Sequence, residues 1–514
     1  MSSQTPTDSL AQPEKPAHEA PPRTLLGTLK RLGPGMIIAG SIVGSGELIA
    51  TTKTGAEAGY YLLWLIIIGC VIKVFTQVEF GRYTLTWSQT PMKALDSVPG
   101  PRLRVNWILW YWAMLTALVI SQQGGIVGGV GQALAISRPL TKQGLEYNRV
   151  QDELVEAKIE LALAGIRTPD SREIGELERE IESLNGEIKE VREPADAYLW
   201  STIIAVITSV LLFIGRYTLI QVVSTVLVAT FTIITIVTLV MLQTTDWAVG
   251  GQDVLSGLSF RLPPAGESLV DNPVATAMAA FGIIGVGAME LIMYPYWCLE
   301  KGYAKYTGRR DGTPQWVARA RGWMRVMHVD VWTSMVVYTF ATVAFYLLGA
   351  AVLGRARLNP EEADLIRTLS QMYVPVLGTW APMVFLFGAF AVLYSTYFVA
   401  AAGNARILAD ALGLFGLTDG SEATRMWWTR VFSTIWPLVA LVVYLFVRAP
   451  AAMILLCGIG QAVMLPMLGI AALYFRYKRC DVNLKPGRVW DVMFWISLVG
   501  FTIAAAGAIY SKLT

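Results

Sequence analysis

The stretch IIAGSIVGSGELIATTKT, residues 37–54, decides how the rest of the chain is interpreted. It is apolar enough to cross a membrane, but its middle holds Gly44, Ser45 and Gly46, followed by the carboxylate of Glu47. In hydrocarbon, an unwound backbone and an ionised side chain each cost several kcal/mol unless protein or water satisfies them. The pattern therefore predicts a binding site halfway across the membrane.

A second stretch of the same kind, AAFGIIGVGAMELIMYPYWC, lies at residues 279–298. Gly285 and Gly287 interrupt its apolar run, and Met289 and Glu290 follow them. Two interrupted apolar segments in corresponding positions of two halves are typical of secondary transporters built from inverted repeats. The alternative for each segment is a glycine-softened helix that packs closely against its neighbours.

The composition indicates an integral membrane protein. Of the 514 residues, 54% are hydrophobic and only 15% are charged, which is too apolar for a soluble multidomain protein. The net charge of +3 is too small to suggest nucleic acid as a partner. The four cysteines have no paired spacing, and the sequence has no phosphate-binding glycine loop. We therefore expect a protein that is not an enzyme, has no catalytic residues and carries no prosthetic group.

The apolar runs divide the chain into four parts and predict an all-α fold with about eleven transmembrane helices. The parts are a disordered cytoplasmic tail (1–24), transmembrane helices 1–3 (25–140), a charged helical insertion (141–196) and transmembrane helices 4–11 (197–514). In the second span, Lys73, Glu79 and Arg82 are expected to pair or to reach the membrane interface.

The insertion at 141–196 has the pattern of a coiled-coil hairpin. Apolar residues recur alternately three and four apart at 147–164 and again at 174–191. Between these helices, Gly165 can end the first and Pro169 can start the second. We expect an extramembrane hairpin with a structural or docking role, for which a protein partner is a candidate.

The basic loops predict the orientation in the membrane. With a cytoplasmic amino terminus, the loops at 93–104, 301–325 and 476–488 all face the cytoplasm, in agreement with the positive-inside rule. The hairpin then lies on the extracytoplasmic side. We expect a multi-pass protein of a bacterial inner membrane.

A series of short motifs runs through nearly the whole chain outside the tail and the hairpin. They are Gly33-Pro34-Gly35, GYYLLW at 59–64, the turn at Gly215 and Arg216, Tyr394-Ser395-Thr396, Ala402-Gly403-Asn404 and Leu465-Pro466. In order and spacing they resemble the Nramp family of proton-coupled divalent-metal transporters. The resemblance implies a LeuT-type fold of two five-helix inverted repeats, with helices 1 and 6 broken and one or two further helices.

The resemblance also implies that the two breaks hold a metal. Where the family carries Asp-Pro-Gly-Asn, this chain has Gly-Ser-Gly-Glu at 44–47, and where the family carries Met-Pro-His, it has Met289, Glu290 and Leu291. The chain is thus identified as a divergent member of the family with altered metal selectivity.

Other positions of the family's pathway are also substituted. Its acidic residues and second histidine correspond to Gln122, Gly125 and Tyr296, and its glutamine ligand of the tenth helix corresponds to Met464, one turn from Gln461. The residues that we expect along the pathway are Gln122, Gln123, Tyr296, Gln461 and Met464.

The predicted site is rich in oxygen. Glu47 and Glu290, with carbonyls freed at Gly44, Ser45 and Gly46 and around Val286, would surround a divalent cation. Hard ions such as magnesium, manganese or calcium suit these ligands, whereas the thioether of Met289 suits softer metals. Without a metal, one of two neighbouring carboxylates would be protonated, so coupling to H⁺ or Na⁺ is open.

The leading hypothesis is a secondary transporter that moves divalent cations across the lipid bilayer by alternating access. Two alternatives stay open. The first is a cation-coupled symporter of a small organic solute on the same fold. The second is a membrane scaffold that does not transport and uses the hairpin to recruit a partner.

Overall fold

The computed structural model describes residues 18–167, 171–191, 193–214, 217–264, 266, 268–360 and 364–513. Within these residues, eleven helical spans are long and apolar enough to cross a membrane, which confirms the predicted all-α membrane fold. The predicted turn at Gly215 and Arg216 lies outside the described residues. A short antiparallel ladder joins β1 (Arg102–Leu103) to β2 (Val105–Asn106).

Ten helices and one π-helical segment make up the first part of the chain. They are α1 (Leu25–Leu29), α2 (Pro34–Ile42), the π-helical segment (Ser45–Thr51), α3 (Thr52–Ala58), α4 (Leu63–Trp87), α5 (Pro91–Asp96), α6 (Trp107–Ser137), α7 (Lys142–Arg167), α8 (Ser171–Glu190), α9 (Asp196–Ile214) and α10 (Tyr217–Leu242).

The remaining helices follow in chain order. They are α11 (Gly251–Gly257), α12 (Pro273–Ile283), α13 (Ala288–Lys301), α14 (Tyr303–Thr307), α15 (Pro314–Leu348), α16 (Leu365–Ser370), α17 (Val374–Leu377), α18 (Ala381–Leu414), α19 (Glu422–Val447), α20 (Pro450–Tyr474) and α21 (Arg488–Leu513). π-helical segments extend α15 at Gly349–Gly354 and α20 at Phe475–Arg479, and short 3₁₀ turns lie at Gln371–Tyr373, Gly378–Trp380 and Val482–Leu484.

The first and sixth spans lie at the centre of the bundle. In their most apolar parts, 94% and 83% of the residues are buried, against 33% for α9, α19 and α21. Around them, α2 packs against α10, α13, α15 and α18, and α12 packs against α20 and α21. The outer helices therefore shield the two central spans from lipid, and a polar group in these spans can be satisfied only by protein or trapped water.

The last residues of the predicted disordered tail are ordered. The amide of Glu19 donates to the carbonyl of Tyr306 at 3.1 Å, and the indole of Trp323 donates to the carbonyl of Glu19 at 3.0 Å. Arg31 forms an ion pair with the same Glu19. Residues 18–24 thus differ from the prediction because α14 and α15 offer them partners, whereas residues 1–17 lie outside the described part of the chain.

The charged insertion forms two helices, α7 and α8, that pack against each other. Their shared apolar seam consists of Val150, Leu154, Ala157 and Leu184. The predicted turn between them falls mostly on residues outside the described part. Arg367 of α16 holds the hairpin on the membrane helices: it is 2% exposed, donates to Asn148 at 2.5 Å and pairs with Asp152.

Candidate functional site

The first span is interrupted at Val43 and Gly44, between α2 and the π-helical segment. Next to this interruption, the carbonyl of Gly40 accepts hydrogen bonds from the hydroxyls of Ser395 at 2.8 Å and Thr396 at 3.2 Å. A Cβ on Gly44 would lie 1.8 Å from the hydroxyl oxygen of Thr396. The close approach of α18 to the break therefore requires glycine.

The sixth span is interrupted between Ile283, where α12 ends, and Ala288, where α13 begins. Gly285 lies in the left-handed region, with a φ of 57°, which glycine adopts at no steric cost. The carbonyls of Phe281 and Ile284 point to α4, where the ammonium of Lys73 donates to both, at 2.7 Å in the case of Ile284.

Lys73 differs from its prediction. Its side chain is fully buried and does not reach the membrane interface, because the carbonyls of the broken helix supply polar partners inside the bundle. Glu79 and Arg82, on the same helix, pair at 3.2 Å as predicted.

The two interruptions contact each other through their carboxylates. Oε1 of Glu47, in the first span, accepts from the amide of Gly285 at 2.9 Å and from the hydroxyl of Thr342 at 3.2 Å. Oε1 of Glu290, in the sixth span, accepts from the hydroxyl of Ser41 at 3.1 Å. Each broken span therefore places an acidic side chain against the other span.

A cavity of about 20 Å³ lies between the breaks, α6 and α18. This volume accepts roughly one water-sized sphere. Its polar lining consists of Ser41, Ser45, Gln122, Gln123, Glu290, Thr396 and Asn404, and Met289 and Gly46 complete the contact with the two breaks. Of the predicted residues, Ser45, Gly46, Gln122, Gln123, Met289 and Glu290 thus line one cavity.

Six of the predicted residues do not line this cavity: Gly44, Glu47, Val286, Tyr296, Gln461 and Met464. Gln461 lies directly behind it, where its amide oxygen accepts from the amide of Met289 and its amide nitrogen donates to Gln122, both at 3.2 Å. Tyr296 instead donates to Asp410 at 2.7 Å.

The position of Glu47 changes the expected chemistry. We predicted that two carboxylates would surround one ion, but the cavity has a single carboxylate, that of Glu290. Glu47 turns away because the amide of Gly285 and the hydroxyl of Thr342 offer it hydrogen-bond donors.

Sequence reasoning missed Ser41, Thr396 and Asn404 in the lining, and it missed the contact of Lys73 with the break of the sixth span. A signal for two of them was present: Thr396, Ala400 and Asn404 are spaced four apart in an apolar span, which places them on one helix face. No comparable pattern marks Lys73, whose partners lie more than two hundred residues away.

The lining offers one carboxylate, several hydroxyl and amide oxygens and one thioether. In the described part of the chain, no group of three or more His, Cys, Asp or Glu side chains is placed so that it could hold a metal ion. A mixed set with one charge binds a cation more weakly than a closed cage of charged ligands, and weak binding allows an ion to leave as well as to enter.

A larger cavity, of about 540 Å³, is lined by residues of α3, α6, α12, α19 and α20. It contains Lys53, whose ammonium pairs with Glu57 at 3.0 Å and donates to Asn359 at 2.7 Å. Asn359 also lines a groove with Gln151 and Leu154 of the hairpin, so this cavity lies at the hairpin end of the bundle.

The chain is similar to known proteins in sequence and in structure. The profile of the family "Natural resistance-associated macrophage protein-like" (Nramp) matches residues 191–511, more than half of the chain. In structure, the chain is similar to a mutant of the Eremococcus coleocola manganese transporter, with a TM-score of 0.60 and 15% identity over 96% of this chain and 89% of that one. It is also similar to Mhp1, a nucleobase-cation-symport-1 family transporter, with a TM-score of 0.51 and 14% identity over 97% and 95% of the two chains. No curated protein matches the chain in sequence.

Proposed function

Since the chain belongs to the Nramp family of metal-ion transporters and has a LeuT-type fold, we propose that it moves divalent cations through the cavity between its broken helices. The family consists of transporters and not of enzymes, so the cavity is a place of passage for a substrate. We further propose which residues are the ligands, which ion is preferred and from which end the ion enters.

The observation that carries the proposal is the cavity of about 20 Å³ with one carboxylate, Glu290, in its wall. A dehydrated metal ion fits a space of this size, and an amino acid or a nucleobase does not. The size therefore favours a cation over the small organic solute that we kept as an alternative. The carboxylate supplies the negative charge that a cation needs after it loses its water shell.

The donor set favours manganese over magnesium and calcium. Carboxylate, hydroxyl and amide oxygens suit hard cations, whereas the thioether of Met289 is soft and adds nothing for magnesium or calcium. Manganese accepts both kinds of ligand. This selectivity rests on Glu290 and Met289, and Glu47 is not part of the ligand set.

Access from the hairpin end passes through the cavity of about 540 Å³, which shares α6 and the two broken spans with the smaller one. We propose that the halves of the broken spans move to open either end in turn. The hairpin lies on the extracytoplasmic side of a bacterial inner membrane, with a cytoplasmic amino terminus. We also propose that the hairpin binds a protein partner. Transport of the divalent cation is coupled to a second ion, for which H⁺ and Na⁺ are the candidates.

The test compares Mn²⁺ uptake into proteoliposomes by the Glu290→Gln variant with uptake by the unsubstituted protein. The substitution keeps the size of the side chain but removes the one charged ligand, so we expect uptake to fall by at least about tenfold, the equivalent of about 1.4 kcal/mol. The matched control is Glu300→Gln on the same helix, whose carboxylate is at the surface and bonds Arg406. Full uptake by Glu290→Gln would refute the proposed site.

A further inference from the structure

A cation that belongs to the protein already occupies the break in the sixth span. The carbonyl oxygens of Phe281 and Ile284 converge on the ammonium of Lys73, which also lies 4.9 Å from the centroid of the Phe281 ring. Carbonyl oxygens and an aromatic face are the groups that hold a desolvated monovalent cation in proteins. Lys73 is fully buried, so its ammonium depends on these groups and not on water.

The ammonium of Lys73 and the carboxylate of Glu47 bond the two ends of one peptide group, since the carbonyl of Ile284 accepts from Lys73 and the amide of Gly285 donates to Glu47. Glu47 is 0% exposed, and its Oε2 has no hydrogen-bond partner among the described residues. A buried carboxylate with one unsatisfied oxygen requires a nearby positive charge to remain ionised.

We infer that Lys73 is a tethered monovalent cation, which fixes the break of the sixth span and balances Glu47, so that no free Na⁺ or K⁺ is needed there. The inference rests on the proposed function, because it concerns the charge behind the same transport site. It accounts for a ligand set with a single carboxylate, because Glu47 bonds the peptide group that Lys73 holds and Glu290 lines the cavity.

The tether has a physical advantage over a free ion. A free cation must lose its water and its translational freedom each time it binds, whereas the ammonium of Lys73 is held in place by α4. The backbone at the break is also in direct contact with α4, since a Cβ on Gly285 would lie 3.0 Å from Cα of Cys70. The lysine therefore reaches the carbonyls from a helix that is already packed on them.

The experiment removes the ammonium of Lys73 by substitution and then supplies a free small cation in the buffer. In Lys73→Ala, the shortened side chain leaves the two carbonyls and Glu47 without their positive partner. We expect the purified protein to melt several degrees lower in choline chloride than the unsubstituted protein. At equal ionic strength, NH₄Cl or NaCl should restore a large part of this loss, because these ions are small enough to enter and choline is not.

Two variants serve as controls. Lys73→Met fills the space without a charge, so its lowered melting temperature should respond equally to the three salts. Lys73→Ala combined with Glu47→Gln removes both charges, and its melting temperature should depend less on small cations than that of Lys73→Ala alone. A salt response of Lys73→Ala that is no larger than that of Lys73→Met would overturn the inference.

A measurement without substitutions keeps the inference testable if Lys73→Ala does not fold. Mn²⁺ uptake by the unsubstituted protein should be the same in Na⁺, K⁺ and choline media. A requirement for Na⁺ or K⁺ would overturn the inference and leave the role of Glu290 intact. Conversely, if the protein did not transport Mn²⁺ at all, the melting experiment would still test the role of Lys73, because it does not depend on transport.

Discussion

Two glutamates with the same surroundings in the sequence have different roles in the structure. Glu47 and Glu290 each follow a glycine-rich break in an apolar span. Glu47 accepts from the amide of Gly285 and the hydroxyl of Thr342, whereas Glu290 accepts from one hydroxyl and lines the cavity. The role of a buried carboxylate is thus decided by the donors that its neighbours present.

At this scale we predict that Met289→Ala changes the preference among metals. Without the thioether the lining is all oxygen, so Cd²⁺ and Mn²⁺ should lose their advantage over Mg²⁺. The measurement is the ratio of Cd²⁺ to Mg²⁺ uptake in proteoliposomes, for which we expect a fall of roughly threefold to tenfold, or about 1 kcal/mol.

Met464→Ala is the matched control for this prediction. Met464 is buried but outside the cavity, so its truncation should lower stability through lost packing and leave the uptake ratio unchanged. An unchanged ratio in Met289→Ala would mean that the thioether only fills space.

Among the elements, the hairpin of α7 and α8 is the one that the transport mechanism does not use. Its seam is apolar, and α7 contributes Val155 and Ile159 to the main hydrophobic core. Arg367 reaches it from α16, which links the hairpin to the loop that follows the seventh span. The hairpin is therefore packed on the bundle and is not a free arm.

We predict that Arg367→Gln loosens the hairpin. The guanidinium is buried, and its loss leaves Asn148 and Asp152 without their donor, at a cost of about 1–3 kcal/mol. The side chain of Asp152 is 65% exposed, which keeps the effect below that of a fully buried pair. Hydrogen exchange of α7 should become faster, and limited proteolysis within the hairpin should increase.

The comparison is Arg149→Gln, which removes another hairpin arginine. Arg149 is 64% exposed and lies 3.6 Å from Glu187, so the ion pair is solvated and contributes little. Equal exchange rates in the two variants would show that Arg367 does not anchor the hairpin.

At the scale of the whole molecule, the structure places Glu19, near the start of the described residues, and the basic loop after the sixth span at one end. Glu19 bonds Tyr306 and Trp323 at that end, and the hairpin packs near Asn359 at the other. In the orientation that we propose, the basic end faces the cytoplasm, in agreement with the positive-inside rule.

This orientation predicts the labelling of single cysteines. In a background with Cys480→Ser, Glu180→Cys on α8 should react with a membrane-impermeant maleimide in intact cells, because the hairpin faces outward in the proposed topology. Arg309→Cys in the basic loop should react only after permeabilisation. The cysteines at positions 70, 298 and 457 are buried and should stay unlabelled. The reverse pattern of labelling would invert the proposed topology.

The sequence by itself determined the class of the protein, its spans and the two central breaks. This was possible because hydrocarbon penalises every unsatisfied polar group, so apolar length, glycines and buried carboxylates are visible in the chain. It also led to the family, and it named Met289 and Glu290 for the metal site and Gln122 and Gln123 for the pathway, four residues that the structure brings to one cavity.

Only the tertiary structure decided which groups share the cavity. Glu47 meets Gly285 across 238 residues, and Lys73 meets the carbonyl of Ile284 across 211. The rotation of each helix follows from its packing against helices that are distant in sequence, and no local pattern encodes it. That packing turned Glu47 toward Gly285 and Thr342, left Glu290 at the cavity and brought the polar face of α18 to it.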